Sequence, residues 1–140
     1  MKLCVLDCSY AMSWVFDDEK EERADALLAQ LKDHDSLVVP AVLWGLEVAN
    51  CLHGARQRGR LTASQAEEKR KFLEALPVIE LVPPHGLSRA CFDLSAKSGL
   101  TSYDAAYLAL AIEEQLPLAT NDQALLDVAR RAGVEIWGEG

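Results

Sequence analysis

Four carboxylates stand where this chain could use them for chemistry: Asp7, Glu47, Asp104 and Asp122. Asp7 directly follows the apolar run Leu3–Leu6, and a carboxylate continuing a buried strand is costly without a partner. Glu47 sits among Leu46, Val48, Ala49, Cys51 and Leu52, on a helix that reads apolar nearly all round, so solubility does not explain its charge. Asp104 lies three residues after Thr101, at the start of an apolar helix carrying Tyr107, Leu108, Leu110 and Ala111. Asp122 follows Leu118–Thr120 and is placed to cap a helix of Leu125, Leu126 and Ala129. Each has a plain structural role open to it: Asp7 in a turn, Asp104 and Asp122 as N-caps, Glu47 as a solvated helix residue. As a group they differ from ordinary surface acids, because no Lys or Arg lies near any of them in sequence. Clustered carboxylates raise one another's pKa unless a cation sits between them. Hard oxygen donors without His or Cys select Mg²⁺ or Mn²⁺ over zinc, so four convergent acids would form a divalent-metal site.

Convergence depends on the elements that carry them. Short apolar runs, Leu3–Leu6, Leu37–Val39, Val78–Val82, Leu118–Thr120 and Val134–Trp137, read as strands. Between them Ala24, Leu27, Leu28 and Leu31 follow the i, i+3, i+4, i+7 stripe of an amphipathic helix, as do Leu87, Ala90, Cys91 and Leu94. Ser64 with Glu67 has the spacing of a capping box opening a helix towards Leu76, stopped by Pro77. Pro40 suits the first turn of a helix through Arg58 with Gly59 past its end; Gly99 and Gly133 close two more. Strands separated by helices pair in parallel through right-handed crossovers. The expected fold is α/β: a three-layer α/β/α arrangement on a central parallel sheet of about five strands. Ligands bind beyond the carboxyl ends of such strands, where the four acids fall.

Composition narrows the function classes. The 140 residues suit one domain, 1–140, and a chain that is 50% hydrophobic and 26% charged is neither disordered nor fibrous. The longest nearly apolar run, Leu37–Leu46, is too short to span a bilayer, and no secretion signal precedes Asp7; a cytoplasmic protein is expected. A net charge of −8 means that any nucleic-acid contact must use a local basic patch. Cys4, Cys8, Cys51 and Cys91 form no C-x-x-C pair and read as reduced, buried thiols.

With these residues assembled, the chain resembles a PIN-domain ribonuclease of the VapC type, the toxin of a bacterial toxin–antitoxin pair. The resemblance is carried in order by Leu6-Asp7-Cys8-Ser9, Pro40-Ala41-Val42-Leu43-Trp44-Gly45-Leu46-Glu47-Val48-Ala49-Asn50, Thr101-Ser102-Tyr103-Asp104-Ala105-Ala106-Tyr107-Leu108-Ala109-Leu110-Ala111 and Leu118-Ala119-Thr120-Asn121-Asp122. It implies that Asp7, Glu47, Asp104 and Asp122 bind Mg²⁺, or Mn²⁺, with Ser9, Thr120 and Asn121 in support. Cys8, between Asp7 and Ser9, is expected on the opposite face of the strand, away from the chemistry. The resemblance further implies an RNA substrate cut to a 5′-phosphate and a 3′-hydroxyl, a cognate antitoxin, a homodimer, no membrane, and contact with DNA only through the antitoxin complex.

A ribonuclease of this net charge needs a basic surface. Arg56, Arg58, Arg60, Lys69, Arg70 and Lys71 cluster with only Glu67 and Glu68 opposing them, giving either an RNA-contacting patch or a solvated helix pair. His34, His53 and His85 show no ligand spacing; Trp14 and Trp44 read as core or interface, and Trp137 as packing of the terminal strand. A haloacid-dehalogenase-type phosphatase would need an acid where Ser9 stands, and a receiver domain a late lysine where none follows Lys97. The remaining alternative is a non-catalytic protein-interaction subunit on the same fold.

Overall fold

The computed structural model describes residues 1–82 and 86–139. The elements run β1 (Lys2–Leu6), α1 (Cys8–Met12), α2 (Glu22–Gln30), β2 (Ser36–Pro40), α3 (Leu43–Gln57), α4 (Ala63–Glu74), β3 (Val78–Leu81), α5 (Leu87–Ser98), α6 (Ser102–Glu114), β4 (Leu118–Ala119) and α7 (Gln123–Arg131). The sheet is parallel throughout, in the order β3-β2-β1-β4. Helices flank it, and α6 packs against both β1 and β2.

Among the described residues the sheet has four strands, against the expected number of about five. The run Val134–Trp137 contributes a single parallel bridge, Ile136 to Leu118. Only two residues of β4 are extended, and the chain turns away at Gly138, with φ 82°, so no longer ladder forms.

Local signals mostly hold, with shifts at the boundaries. Pro40 ends β2, paired with Leu81, instead of opening the next helix. That helix starts at Leu43, after Val42 is held at φ 69°, a left-handed conformation strained for a β-branched side chain. The capping box belongs to Thr62 and Gln65, two residues before the expected pair: Gln65 N–H donates to Thr62 Oγ1, and Thr62 N–H donates to Gln65 Oε1. Gly59 and Gly99 take positive φ past the ends of α3 and α5, as a helix stop requires.

The core lies between sheet and helices. Leu6, Leu37 and Leu118 from the strands, Leu27 from α2, Tyr107, Leu108 and Leu110 from α6, and Leu125 from α7 are fully buried. Each such side chain stabilises the fold by roughly 1.5–3 kcal/mol through area removed from water. No helix among the described residues is long and apolar enough to cross a membrane.

Candidate active site

The neighbouring strands β1 and β4 end side by side, and the turns that follow them carry the polar centre. Asp7 extends β1 by one residue, is 4% exposed, and anchors its backbone by donating its N–H to Ala119 O. Its Oδ2 accepts from Ser9 Oγ at 2.6 Å and from Thr120 Oγ1 at 2.7 Å. A hydroxyl has one proton. With both given to Asp7, the two hydroxyl oxygens, 3.2 Å apart, are free to accept elsewhere: Ser9 Oγ from Asn121 N–H at 3.0 Å, Thr120 Oγ1 from Asp122 N–H at 3.0 Å. This network locks one carboxylate oxygen and leaves Oδ1 without a side-chain donor among the described residues. Asn121 takes part through its backbone, and its side chain is exposed.

Glu47 enters from the first half of α3. Tyr107 OH, at the tip of a buried ring carried by α6, donates to Glu47 Oε1 at 2.5 Å. Read from sequence, Tyr107 is one more apolar position of its helix. The signal that could have singled it out is the phenol itself, since a buried tyrosine hydroxyl must find an acceptor. The helix around Glu47 is less uniformly buried than its composition suggests, because Leu46 is 64% exposed.

Asp104 and Asp122 divide the plain role expected of both. Thr101, not Asp104, caps α6, accepting from Asp104 N–H at 3.2 Å, so the Asp104 carboxylate is not the cap. Asp122 does cap α7: its Oδ1 accepts from Leu125 N–H at 2.9 Å.

Burial pushes the Asp7 carboxyl above its usual range; the hydroxyls of Ser9 and Thr120 pull it down and the charge of Asp122 pushes it up again. Glu47 is raised by burial and by Asp7 and Asp104, against the hydrogen bond from Tyr107. Asp104 is raised by burial and by Asp122 and Asp7, against a hydrogen bond from the Thr101 side chain. No Lys or Arg enters any of these balances. The acids thus feel one another across a shared space, although among the described residues no three His, Cys, Asp or Glu close on a single point as metal ligands would. An all-oxygen donor set, partly desolvated and lacking a neutralising cation, fits a hard divalent ion in its chemistry.

Cys8 departs from the expected alternation because it opens α1 instead of continuing β1. Its Sγ lies 3.9 Å from Cys51 Sγ, on α3 one turn beyond Glu47.

The six basic residues of the α3–α4 hairpin differ in their company. Arg60 is bound to Asp18 at 2.9 Å and Glu19 at 3.0 Å, with its guanidinium 3.8 Å above the Phe16 ring centre. Arg70 is clamped between Glu67 and Glu74. Arg56, Arg58, Lys69 and Lys71 make no ion pair among the described residues. Arg56 lines a cavity of about 530 Å³ between α3 and α4, with Trp44, His53, Glu67, Arg70 and Glu74. His34 serves a turn, its carbonyl accepting from the Met1 amine at 2.7 Å, and His85 lies outside the described residues. Trp44 is buried in the core; Trp14 and Trp137 pack on it half-buried.

The chain is similar to known proteins in sequence and in fold. The PIN domain family's sequence model matches residues 4–131. Ribonuclease VapC3 of Pyrobaculum aerophilum is 34% identical over 131 residues, covering 91% of this chain and 94% of that one. The crystal structure of PAE2754 from Pyrobaculum aerophilum superposes with a TM-score of 0.61 at 26% identity, over 90% of this chain and 78% of the other. A toxin–antitoxin complex from Klebsiella pneumoniae gives a TM-score of 0.54 at 18% identity, over 85% and 86%, a likeness of fold.

Proposed function

The chain belongs to the PIN-domain family, and we propose that it is a metal-dependent endoribonuclease, the toxin of a toxin–antitoxin pair, that hydrolyses RNA phosphodiester bonds. The observation that carries this reading is Asp7: nearly fully buried, held on one oxygen by two hydroxyls, and surrounded by acids with no cation to balance them. A buried carboxylate kept for structure is ordinarily paired with an opposite charge, and Asp7 has only hydroxyls.

Asp7, Asp104, Asp122 and Glu47 would hold Mg²⁺, with Mn²⁺ as a substitute. When bound, the ion neutralises charge developing on the phosphoryl oxygens and lowers the pKa of water. Ser9 and Thr120 fix the Asp7 carboxylate so that Oδ1 is left for the shared space. Tyr107 fixes Glu47 by Oε1, leaving Oε2 to accept a proton from the attacking water. The water oxygen bonds to phosphorus, the bond to the 3′ oxygen breaks, and that oxygen leaves with a proton. The products are a 5′-phosphate and a 3′-hydroxyl, with no use of the 2′-hydroxyl.

RNA approaches over the α3–α4 hairpin, where Arg56, Arg58, Lys69 and Lys71 are available to phosphates while Arg60 and Arg70 hold acids of the fold itself. A cognate antitoxin is the partner of a VapC-type chain, and DNA is reached only through that complex. Self-association into a homodimer is supported by Val42, Leu46 and Tyr103, exposed apolar side chains around a cavity of about 480 Å³. The compartment is the cytoplasm, where such a toxin meets its RNA.

Induced expression of the wild type beside Asp7→Asn, followed by sequencing of RNA 5′ ends, tests the reading. Growth arrest with discrete new ends in the wild type alone is expected. Equal arrest by both, or no new ends, would overturn it in favour of a non-catalytic interaction subunit.

A further inference from the structure

Two thiols that this chemistry leaves unused face each other beside the acids. Cys8 immediately follows Asp7 and Cys51 lies one helical turn beyond Glu47, yet their sulfurs are in hydrogen-bond contact at 3.9 Å across 43 residues of chain. Cys8 is buried and Cys51 half-buried, so Cys51 is the more accessible residue of the pair. Cys4 and Cys91, both buried, share no such contact with another sulfur among the described residues. The contact joins two different helices, the five-residue α1 and the long α3.

A disulfide holds its sulfurs about 2.05 Å apart, so bonding brings this pair together by roughly 2 Å. The short α1 is the element free to follow, and Asp7 is its N-cap. We infer that Cys8 and Cys51 form a reversible disulfide on exposure to a peroxide, drawing α1 towards α3 and displacing Asp7 and Glu47 from their working positions. The consequence for cleavage rests on the ribonuclease reading; the bond itself does not.

The steps balance with hydrogen peroxide as oxidant. Cys51, whose thiol the hydrogen bond from Cys8 holds below its ordinary value, attacks a peroxide oxygen as thiolate. The O–O bond breaks, one water leaves, and Cys51 becomes a sulfenic acid. Cys8 sulfur then attacks Cys51 sulfur, the S–O bond breaks, and the hydroxide departs as water with the Cys8 proton. Two thiols lose two electrons and two hydrogens, and one peroxide becomes two waters. A dithiol reverses the change by exchange. In reducing surroundings the pair rests as thiols, and the site is competent.

The test treats the whole protein with hydrogen peroxide, digests it without reductant and weighs the peptides. A Cys8–Cys51 linked peptide, lighter by two hydrogens, removed by dithiothreitol and missing from Cys51→Ser and Cys51→Ala, is the expected result. Cys51 oxidised to a sulfinic acid with no link would overturn the inference. Mn²⁺ binding, read by calorimetry without RNA, weakens on oxidation of the wild type and is unchanged by peroxide in the Cys51 variants; a linked protein that binds Mn²⁺ unaltered would overturn the displacement. RNA cleavage falls about a hundredfold on oxidation and recovers on reduction. A reduced wild type that cuts no RNA would sink the ribonuclease reading alone, since the peptide link and the Mn²⁺ affinity still decide this one.

Discussion

Glu47 and Glu67 are both helix glutamates, on the neighbouring helices α3 and α4, yet their surroundings drive them in opposite directions. Glu67 lies exposed against Arg70, which holds its carboxyl below the usual range. Glu47 is half-buried among Asp7 and Asp104, with a phenol as its only side-chain donor among the described residues, and is raised. The contrast extends to whole regions. On the hairpin face arginines answer the acids, and the charges tie α4 to itself or Arg60 to the Asp17–Glu19 turn. At the carboxyl ends of β1 and β4 the acids have hydroxyl and phenol donors but, among the described residues, no basic partner. Charge that is balanced within the fold serves the fold; charge left unbalanced in a partly desolvated place is kept for something that is not part of the chain.

The sharpest way to break this comparison is Asp7→Asn. An amide oxygen still accepts from Ser9 and Thr120, so the local network survives while the charge goes. Cleavage should fall by about three orders of magnitude, the worth of several kcal/mol of ion-mediated charge stabilisation. The melting temperature in chelator should rise, because one repelling charge has been removed from beside Asp122. An Asn variant that cuts RNA normally, or melts lower without metal, would place the acids among ordinary structural residues.

Tyr107→Phe asks whether Glu47 must be held. The phenol keeps part of the Glu47 charge in place, so its removal raises Glu47 further and frees its carboxylate to swing. Activity should drop about ten- to hundredfold, the usual cost of removing a residue that orients a ligand. Stability should change by about 1–2 kcal/mol, since the apolar ring stays and only the hydrogen bond to the carboxylate goes. Urea unfolding beside steady-state cleavage separates the two, and an equal collapse of both would make Tyr107 a packing residue only.

The same contrast sets the pH dependence of the metal-free protein. Asp7, Glu47 and Asp104 have folded pKa values above their unfolded ones, so between those values the native state binds more protons than the unfolded chain. Stability then falls as pH rises through that window, which opens at the ordinary carboxylate range, about 4, and extends above it. Glu67, Glu139 and Asp35 are lowered and act with the opposite sign at lower pH, but all three lie at the surface and are screened, so the pocket dominates. Melting in chelator should therefore occur at a higher temperature at mildly acidic than at neutral pH, and added Mn²⁺ should abolish the difference. A melting temperature that climbs with pH in chelator would mean that the acids do not repel.

Much of this was legible in the chain. Apolar runs split by helical stripes imply a parallel α/β sheet, and Asp7 after Leu6 or Asp122 after Thr120 needs only that topology to be placed at the strand ends. What escaped depends on which competitor wins a local contest. Thr101 and Asp104 can both cap α6, and spacing does not say that the hydroxyl takes the role and frees the acid. Pro40 fits a helix start as well as a strand end, and only pairing with Leu81 decides. Val134–Trp137 has strand composition, but a strand exists only beside a partner of sufficient length, and β4 is two residues. The Tyr107–Glu47 bond and the Cys8–Cys51 contact join positions 60 and 43 residues apart, which no local pattern encodes.

The hairpin supplies the smallest effect and the finest discrimination. If balanced charge serves the fold, Arg70→Ala should cost little stability, since its i, i+3 and i, i+4 pairs are exposed and screened, and leave RNA binding nearly untouched. Arg60→Ala behaves alike, with some added cost from removing the Phe16 stack. Arg56→Ala and Arg58→Ala remove no ion pair found among the described residues, so their stability cost is near zero, and any effect must show in RNA affinity. For each phosphate left without its cation, the slope of log affinity against log salt should shrink by about 0.7 on single-stranded RNA. The measurement is binding of RNA to Asp7→Asn protein, which does not cut, at several salt concentrations. A slope that shrinks with Arg58→Ala and not with Arg70→Ala assigns the hairpin's unpaired cations to RNA and its paired ones to the fold. Equal slopes for all four variants would move the RNA path off this face, while the acids at the strand ends would keep their role, because nothing in their balance involves an arginine of the hairpin.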